Sequence, residues 1–385
     1  LPAGKPPETL AGETVYIVDA HALIYQVFHA MPAMTGPQGQ PVGAIHGFIR
    51  DIVALLEEKQ PNYLFCAFDS PGPTFRHEQY DQYKIHREAM PDDLRVQIPG
   101  IQEMLAAMET PVLKLPGFEA DDILATLARQ VDGLGGEAYL VTNDKDCRQL
   151  ITSHVSMYNI RKDSLFDAEA LLADWGIRPD QVVEFQALVG DSVDNVPGVP
   201  GIGVKTAAEL INQYETLENL LKKAGEIKQN KRRERLLKNK DKAIISKKLV
   251  TLKKDVPVNR SIEEFKLKEI DKNKLYAFLR AMEFNRLLSS AISTYGEPEL
   301  SNNKIDAKTK EKIQSINKKN YHLITNEDQI DKWIDEAEEA GEFAIDTETS
   351  SIDPHQADLV GISLSTKIGK ACYIPIGHKS KECIK

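Results

Sequence analysis

Three short runs rich in β-branched and aromatic residues, TVYIVDA (14–20), NYLFCAFD (62–69) and EAYLVTND (137–144), each carry an aspartate at or near their end. Helically spaced apolar stretches such as GFIRDIVALLEEK and IQEMLAAME lie between them. An alternation of this kind restricts the chain to an α/β fold, a mostly parallel sheet flanked by helices on both faces. Ligands of such sheets collect beyond the carboxyl ends of the strands. Asp19, Asp69 and Asp144 are expected there.

GFEADD (117–122) adds Glu119, Asp121 and Asp122 just before the apolar run ILATLARQV. One or two acids at a helix start cap free N–H groups and face the positive end of the dipole. Three crowd charges that repel by about 1 kcal/mol per pair at ~4 Å in water, and by more in a cleft. A positive charge is expected to offset them. With Asp146, Asp191 and Asp194 the acids number nine and come from separate segments. Hard cations take oxygen ligands, so the set reads as a site for two or more Mg²⁺ ions, with Mn²⁺ able to substitute. Two such ions about 4 Å apart activate a water and stabilise the leaving oxygen of a phosphodiester. Taken singly, each Asp reads as an ordinary turn or cap residue, and recurrence at strand ends separates the two readings.

The net charge of −10 argues against a nucleic-acid partner until its distribution is considered. Residues 222–254 hold 14 Lys or Arg against three acids, with Lys231, Arg232, Arg233 and Arg235 at the centre. A basic strip beside an acidic remainder suits a protein that grips a polyanion on one surface and cations on another; a solvated helix pair is the alternative. Just before the strip, GVPGIGVKTA (198–207) has the form of two helices joined by a Gly-Ile-Gly turn. Backbone N–H groups around Gly201 and Gly203, with Lys205, would hold a phosphate without reading bases.

No apolar run reaches the ~18 residues of a membrane helix, and the first residues lack a signal-peptide pattern, so a cytoplasmic protein without membrane contact is expected. Cys66, Cys147, Cys372 and Cys383 form no CxxC pair and read as reduced thiols. The chain begins with Leu and ends without an evident stop, as a fragment of a longer protein would. The expected organisation is a disordered tail over 1–12, a catalytic α/β domain over 13–180 with an arch at 70–99, a helix-hairpin-helix subdomain over 181–292, a polar linker over 293–320 and a truncated α/β unit over 321–385.

TVYIVDA, AFDSPGPTFRHEQYDQYKIHR, GFEADDILATLA, LVTNDKDCRQL and GDSVDNVPGVPGIGVKTA, in this order, resemble the 5′ nuclease domain that opens bacterial DNA polymerase I and, more widely, the flap endonuclease superfamily. The resemblance spans residues 13–290 and implies a PIN-like sheet with a helix-hairpin-helix (H3TH) subdomain. It implies that the nine acids hold the catalytic metals and that Lys84 and Arg87 engage the scissile phosphate. Tyr83 would stack on a displaced base, Arg76 would contact DNA, and K⁺ is a candidate ion at the hairpin. The implied enzyme is a monomeric, nucleoid-associated 5′ to 3′ exonuclease and flap endonuclease. Its implied substrates are duplex DNA with a 5′ flap, nick or 5′ end, and RNA primers.

Ala20 stands where the family usually has Gly, Gln26 where it has Arg, and Cys147 and Arg148 also depart from the usual pattern. FAIDTETSSID (343–353) resembles the first motif of the proofreading 3′ exonuclease, an RNase H-like unit in which Asp346 and Glu348 would be metal ligands. Two rival classes are a duplex-binding module that does not cut, which lost strand-end acids would mark, and a PIN-type ribonuclease, which would lack the GVPGIGVKTA hairpin.

Overall fold

β1 (Thr14–Asp19) is buried on both sides, with Tyr16 and Val18 in one apolar cluster and Val15 and Ile17 in another. A strand of this kind belongs in the middle of a sheet covered on both faces. The computed structural model describes residues 7–297, 321–351, 357–367 and 369–377, and the chain divides into two compact units between Glu299 and Leu300.

In the first unit β1 leads into α1 (Ala20–Ala30) and α2 (Gly43–Lys59), and then into β2 (Tyr63–Ala67). The expected arch holds α3 (Phe75–Gln79) and α4 (Asp92–Arg95), and α5 (Ile98–Ala107) begins within its last residues. It is built of short helices and turns. β3 (Val112–Leu113), α6 (Ala120–Gly133), β4 (Glu137–Val141), β5 (Val155–Asn159) and β6 (Ser164–Phe166) complete a six-stranded sheet of order β3-β2-β1-β4-β5-β6. All pairs are parallel except β5 with β6. Strand order therefore reverses between β1 and β4, the switch point beyond which ligands bind in open α/β sheets.

A third apolar cluster lies in the helices that follow: α7 (Ala168–Trp175), α8 (Val182–Val189), α9 (Val204–Tyr214), α10 (Leu217–Lys222), α11 (Asn230–Lys238) and α12 (Lys240–Val250). α13 (Lys272–Ala281) and α14 (Asn285–Tyr295) return to the sheet and pack on the face that carries α1 and α2.

Two boundaries differ from expectation. Leu10 is buried, and its N–H donates to the Leu134 carbonyl at 2.8 Å, so part of the expected tail belongs to the core. α14 runs to Tyr295, inside the expected linker, and residues 298–320 lie outside the described residues.

In the second unit β7 (Tyr321–Leu323), α15 (Glu327–Ala340), β8 (Ala344–Thr349), β9 (Leu359–Lys367) and β10 (Lys370–Pro375) form a sheet of order β7-β10-β9-β8 around Ile324, Trp333 and Cys372. Among the described residues no helix is long and apolar enough to cross a membrane.

Candidate active site

Parallel pairing sets Asp19 beside Ala67 and Val18 beside Val141, so the carboxyl ends of β1, β2 and β4 lie level. Beyond them is a cavity of about 390 Å³ lined by Asp19, Asp69, Glu119, Asp121, Asp144, Asp191 and Asp194, with Lys84 and Arg87. Asp19 also starts α1, where its Oδ1 accepts the Ala22 N–H at 3.1 Å and its Oδ2 accepts the Thr142 hydroxyl at 3.0 Å. Asp69 Oδ1 accepts the Ala120 N–H at 2.8 Å, which ties the end of β2 to the start of α6. Asp144 accepts the Asp146 N–H at 2.9 Å and so opens the short 3₁₀ turn Lys145–Leu150.

Asp191 and Asp194 reach the cavity from a tight loop closed by paired backbone bonds between Asp191 and Val196, at 2.9 and 2.6 Å. The closure depends on Gly190 and Gly198, both at positive φ, where a Cβ would meet backbone atoms at 2.6 and 2.7 Å.

Burial, and the nearby charges of Asp69 and Asp144, push Asp19 up to about 7. Asp146 is likewise pushed up to about 7 by burial and Asp144, against a lowering bond from Gln186. Burial and the charges of Asp144 and Asp19 hold Asp121 well above the usual carboxylate range. The cluster therefore has more negative charge than its surroundings neutralise, and its donors are oxygens. Both properties fit hard divalent cations.

Among the described residues no three His, Cys, Asp or Glu groups already close around a single point. Side-chain cations stand among them instead. Lys84 Nζ lies 2.7 Å from Glu119 and 3.6 Å from Asp194, and Lys145 Nζ lies 2.9 Å from Asp191. Burial disfavours charge on Lys84 and Arg87, yet the surrounding acids outweigh it and raise both above their ordinary values.

Four of the expected site residues have other partners. Asp122 is fully buried and takes both Arg76 Nη atoms, at 2.7 and 2.8 Å, and the Lys253 N–H at 2.9 Å. It is absent from the cavity wall. Arg76 is 1% exposed and also donates to the Leu249 carbonyl at 2.8 Å, so it joins the arch to α6 and α12 and has no surface for DNA. Tyr83 is 4% exposed, and its hydroxyl donates to Glu119 at 3.1 Å, which leaves no ring face open to a base. Asp146 is not part of the cavity wall and accepts a bond from Gln186.

The hairpin residues Gly201, Gly203 and Lys205 are exposed, and Gly203 caps α9. Arg235 donates to the Gly201 carbonyl at 2.7 Å, in a space where a Gly201 Cβ would meet its guanidinium at 2.5 Å. Arg232 pairs with Glu209 at 2.8 Å and Arg233 donates to the Ile227 carbonyl at 2.8 Å. Lys231 is exposed. Of the basic quartet, three therefore have partners within the subdomain. Asp346 and Glu348 lie in the second unit on β8, every residue of which is exposed.

His21, Lys145 and Asn143 also line the cavity, and sequence reasoning missed them. His21 Nδ1 accepts the Asp69 N–H at 3.1 Å, and burial lowers the affinity of the ring for a second proton, so the neutral ring carries its proton on Nε2. The available signal was adjacency, since His21 follows Asp19 by two residues and Lys145 lies inside NDKD.

Three of the four family departures have plain packing roles. Ala20 is buried, and Arg148 stacks on Phe166 and Trp175 while pairing with Asp174 at 2.6 Å; nothing in the structure explains Gln26. The buried Cys147 thiol lies 3.5 Å from Asp121 Oδ1, and burial beside acids holds it protonated.

Family models match three consecutive parts of the chain: the N-terminal resolvase-like domain of 5′-3′ exonuclease over residues 14–176, its C-terminal SAM fold over 177–273, and a 3′-5′ exonuclease domain over 321–385. DNA polymerase I of Rhizobium leguminosarum is 35% identical over 96% of the chain and 44% of its own length. The 5′-3′ exonuclease of Aquifex aeolicus is 38% identical over 72% of the chain and 94% of its own length. The chain thus spans less than half of the polymerase relative and nearly all of the exonuclease relative. In fold, the first unit is similar to T5 5′-exonuclease with bound zinc, with a TM-score of 0.54 at 18% identity over 74% of this chain and 100% of that one.

Proposed function

Since the chain belongs to the 5′-3′ exonuclease family, we propose that it cuts phosphodiester bonds near the 5′ ends and 5′ flaps of duplex DNA with the help of Mg²⁺. The observation that carries this reading is the single cavity in which seven carboxylates from separate segments face Lys84 and Arg87. A binding module has no use for such an expensive concentration of negative charge beside a polyanion.

Asp19, Asp69, Glu119, Asp121, Asp144, Asp191 and Asp194 would hold two divalent ions, with Asp146 supporting from behind. The ions, when bound, supply an activated water and neutralise the leaving oxygen. Lys84 and Arg87 add positive charge to the cavity wall and would stabilise the charge that builds on the phosphate oxygens. Neutral His21 offers an N–H donor in the same wall. Backbone N–H groups at the start of α9 and the Lys205 ammonium would hold the duplex backbone at a distance and set which bond enters the cavity. K⁺ at the hairpin, RNA primers as substrates, monomeric action and association with the bacterial nucleoid belong to the same proposal, as does service as the opening part of a DNA polymerase I.

A 5′-labelled flap duplex incubated with the chain and Mg²⁺ should yield a short labelled product that EDTA abolishes. Retained binding without any cutting would overturn the reading.

A further inference from the structure

Both oxygens of Glu119 are committed to the arch. Oε1 receives the Lys84 ammonium at 2.7 Å and Oε2 receives the Tyr83 hydroxyl at 3.1 Å, with Arg76 Nη1 at 3.3 Å. Lys84 also reaches Asp194 Oδ2 at 3.6 Å. The backbone repeats the attachment: the Lys84 N–H donates to the Asp194 carbonyl at 3.0 Å, and Asn195 Nδ2 donates to the Gln82 carbonyl at 2.7 Å. Lys84 adopts a φ of 54°, in a region that costs a lysine energy, whereas Asn195, at 55°, is of a residue type that enters it readily. The strain at Lys84 lies within the contact, beside its bonds to Glu119 and Asp194.

We propose that Lys84 is a built-in counter-ion of this carboxylate cluster: its ammonium latches the arch onto Glu119 and Asp194, and divalent ions compete with it for those carboxylates and release residues 82–87. This inference rests on reading the cavity as a divalent-metal site. A cation with several positive charges satisfies two carboxylates better than one ammonium does, and the backbone strain at Lys84 favours release once Glu119 is taken. Released Lys84 is then free to meet substrate phosphate, so one side chain would serve in turn as placeholder and as phosphate ligand. Metal uptake and arch opening become a single equilibrium.

Mg²⁺ binding to the full chain, followed by calorimetry, and hydrogen exchange at the Lys84 and Arg87 amides test this together. Wild-type protein should exchange these amides faster when saturated with Mg²⁺. Lys84→Met should bind Mg²⁺ on the order of tenfold more tightly, the size expected when one competing charge is removed from a partly buried site. Asn195→Ala keeps every charge and should speed exchange at Lys84 without metal. Unchanged or weaker Mg²⁺ binding by Lys84→Met, or unchanged exchange in Asn195→Ala, would overturn the latch while wild-type binding and cutting leave the metal reading intact. A wild-type chain that binds no Mg²⁺ overturns both.

Discussion

Asp19 ends β1 and Asp346 lies in β8, and each follows a short apolar run. Asp19 is 6% exposed, faces Asp121 and Asp144 across a cavity and is pushed up to about 7 by burial and neighbouring charge. β8 is an edge strand whose six residues are all exposed, and Asp346 accepts a local bond from the Thr347 N–H at 2.9 Å. A carboxylate on a strand is thus no site by itself. What distinguishes the first unit is that β1, β2, β4, α6 and the 190–198 loop deliver acids to one edge of one sheet.

The sharpest way to break this comparison is to remove one acid from each unit. Asp121→Asn should lower flap cutting by about 100-fold or more, the scale on which single electrostatic groups of active sites act, while Asp346→Ala should leave it unchanged. Equal rates for the two variants would erase the distinction. A 3′-labelled mismatched primer should also survive incubation of the chain with Mg²⁺, because β8 brings only Asp346 and Glu348. Mg²⁺-dependent loss of the mismatch that Asp346→Ala abolishes would put a working site in the second unit.

A second contrast concerns ion pairs. Arg76→Ala strands fully buried Asp122 and should cost about 3–5 kcal/mol of stability by urea denaturation. Lys370→Ala, in the second unit, removes a partner of Glu336 at a partly exposed surface and should leave the transition of the first unit where it was. An Arg76→Ala transition close to wild type would mean that the Arg76–Asp122 pair is not what joins the arch to α6.

Acid–base behaviour sharpens the difference further. A carboxyl whose folded value exceeds its unfolded value of about 4 stabilises the fold fully below pH 4. That contribution is lost as pH rises to about 7, the value to which Asp19 and Asp146 are pushed. With EDTA present, melting temperature should therefore fall between pH 5 and 7, and Mg²⁺ should flatten the fall by neutralising the same charges. A metal-free melting temperature that rises across this interval would contradict the crowding of the cluster.

The smallest effect is expected on the basic strip. Lys231→Ala should reduce the slope of log affinity against log salt for duplex DNA by about 0.9, the value for one phosphate contact. Arg235→Ala should instead loosen the hairpin beneath Gly201, because its guanidinium is bound to the Gly201 carbonyl. Identical slopes for wild type and Lys231→Ala would return the strip to a solvated surface.

Much of the architecture was legible in the sequence. Strand periodicity, terminal acids and the Gly-Ile-Gly turn are local patterns, and local patterns follow from backbone geometry within a few residues. The parallel sheet and the seven acids of the cavity wall accordingly appear where they were expected. Residue type at a motif position did not reveal function in the same way. Asp121 and Asp122 are adjacent, chemically identical and one helix step apart, which on a helix turns one toward the cavity and the other into the core. Arg76 and Tyr83 looked like arch residues open to DNA, and both are buried, Arg76 on Asp122 of α6 and Tyr83 beside Val196, Leu249 and Val250.

The sequence by itself determined which segments become strands and helices, that acids would gather at the carboxyl edge of a parallel sheet, and that a glycine hairpin would precede a basic strip. Only the tertiary structure decided which charges are spent on one another. Arg76 meets Asp122 across 46 residues, Lys84 meets Glu119 across 35, and Arg235 meets Gly201 across 34. Such pairings depend on how layers pack, and burial then sets their strength, because a charge removed from water must take the partner that folding places beside it.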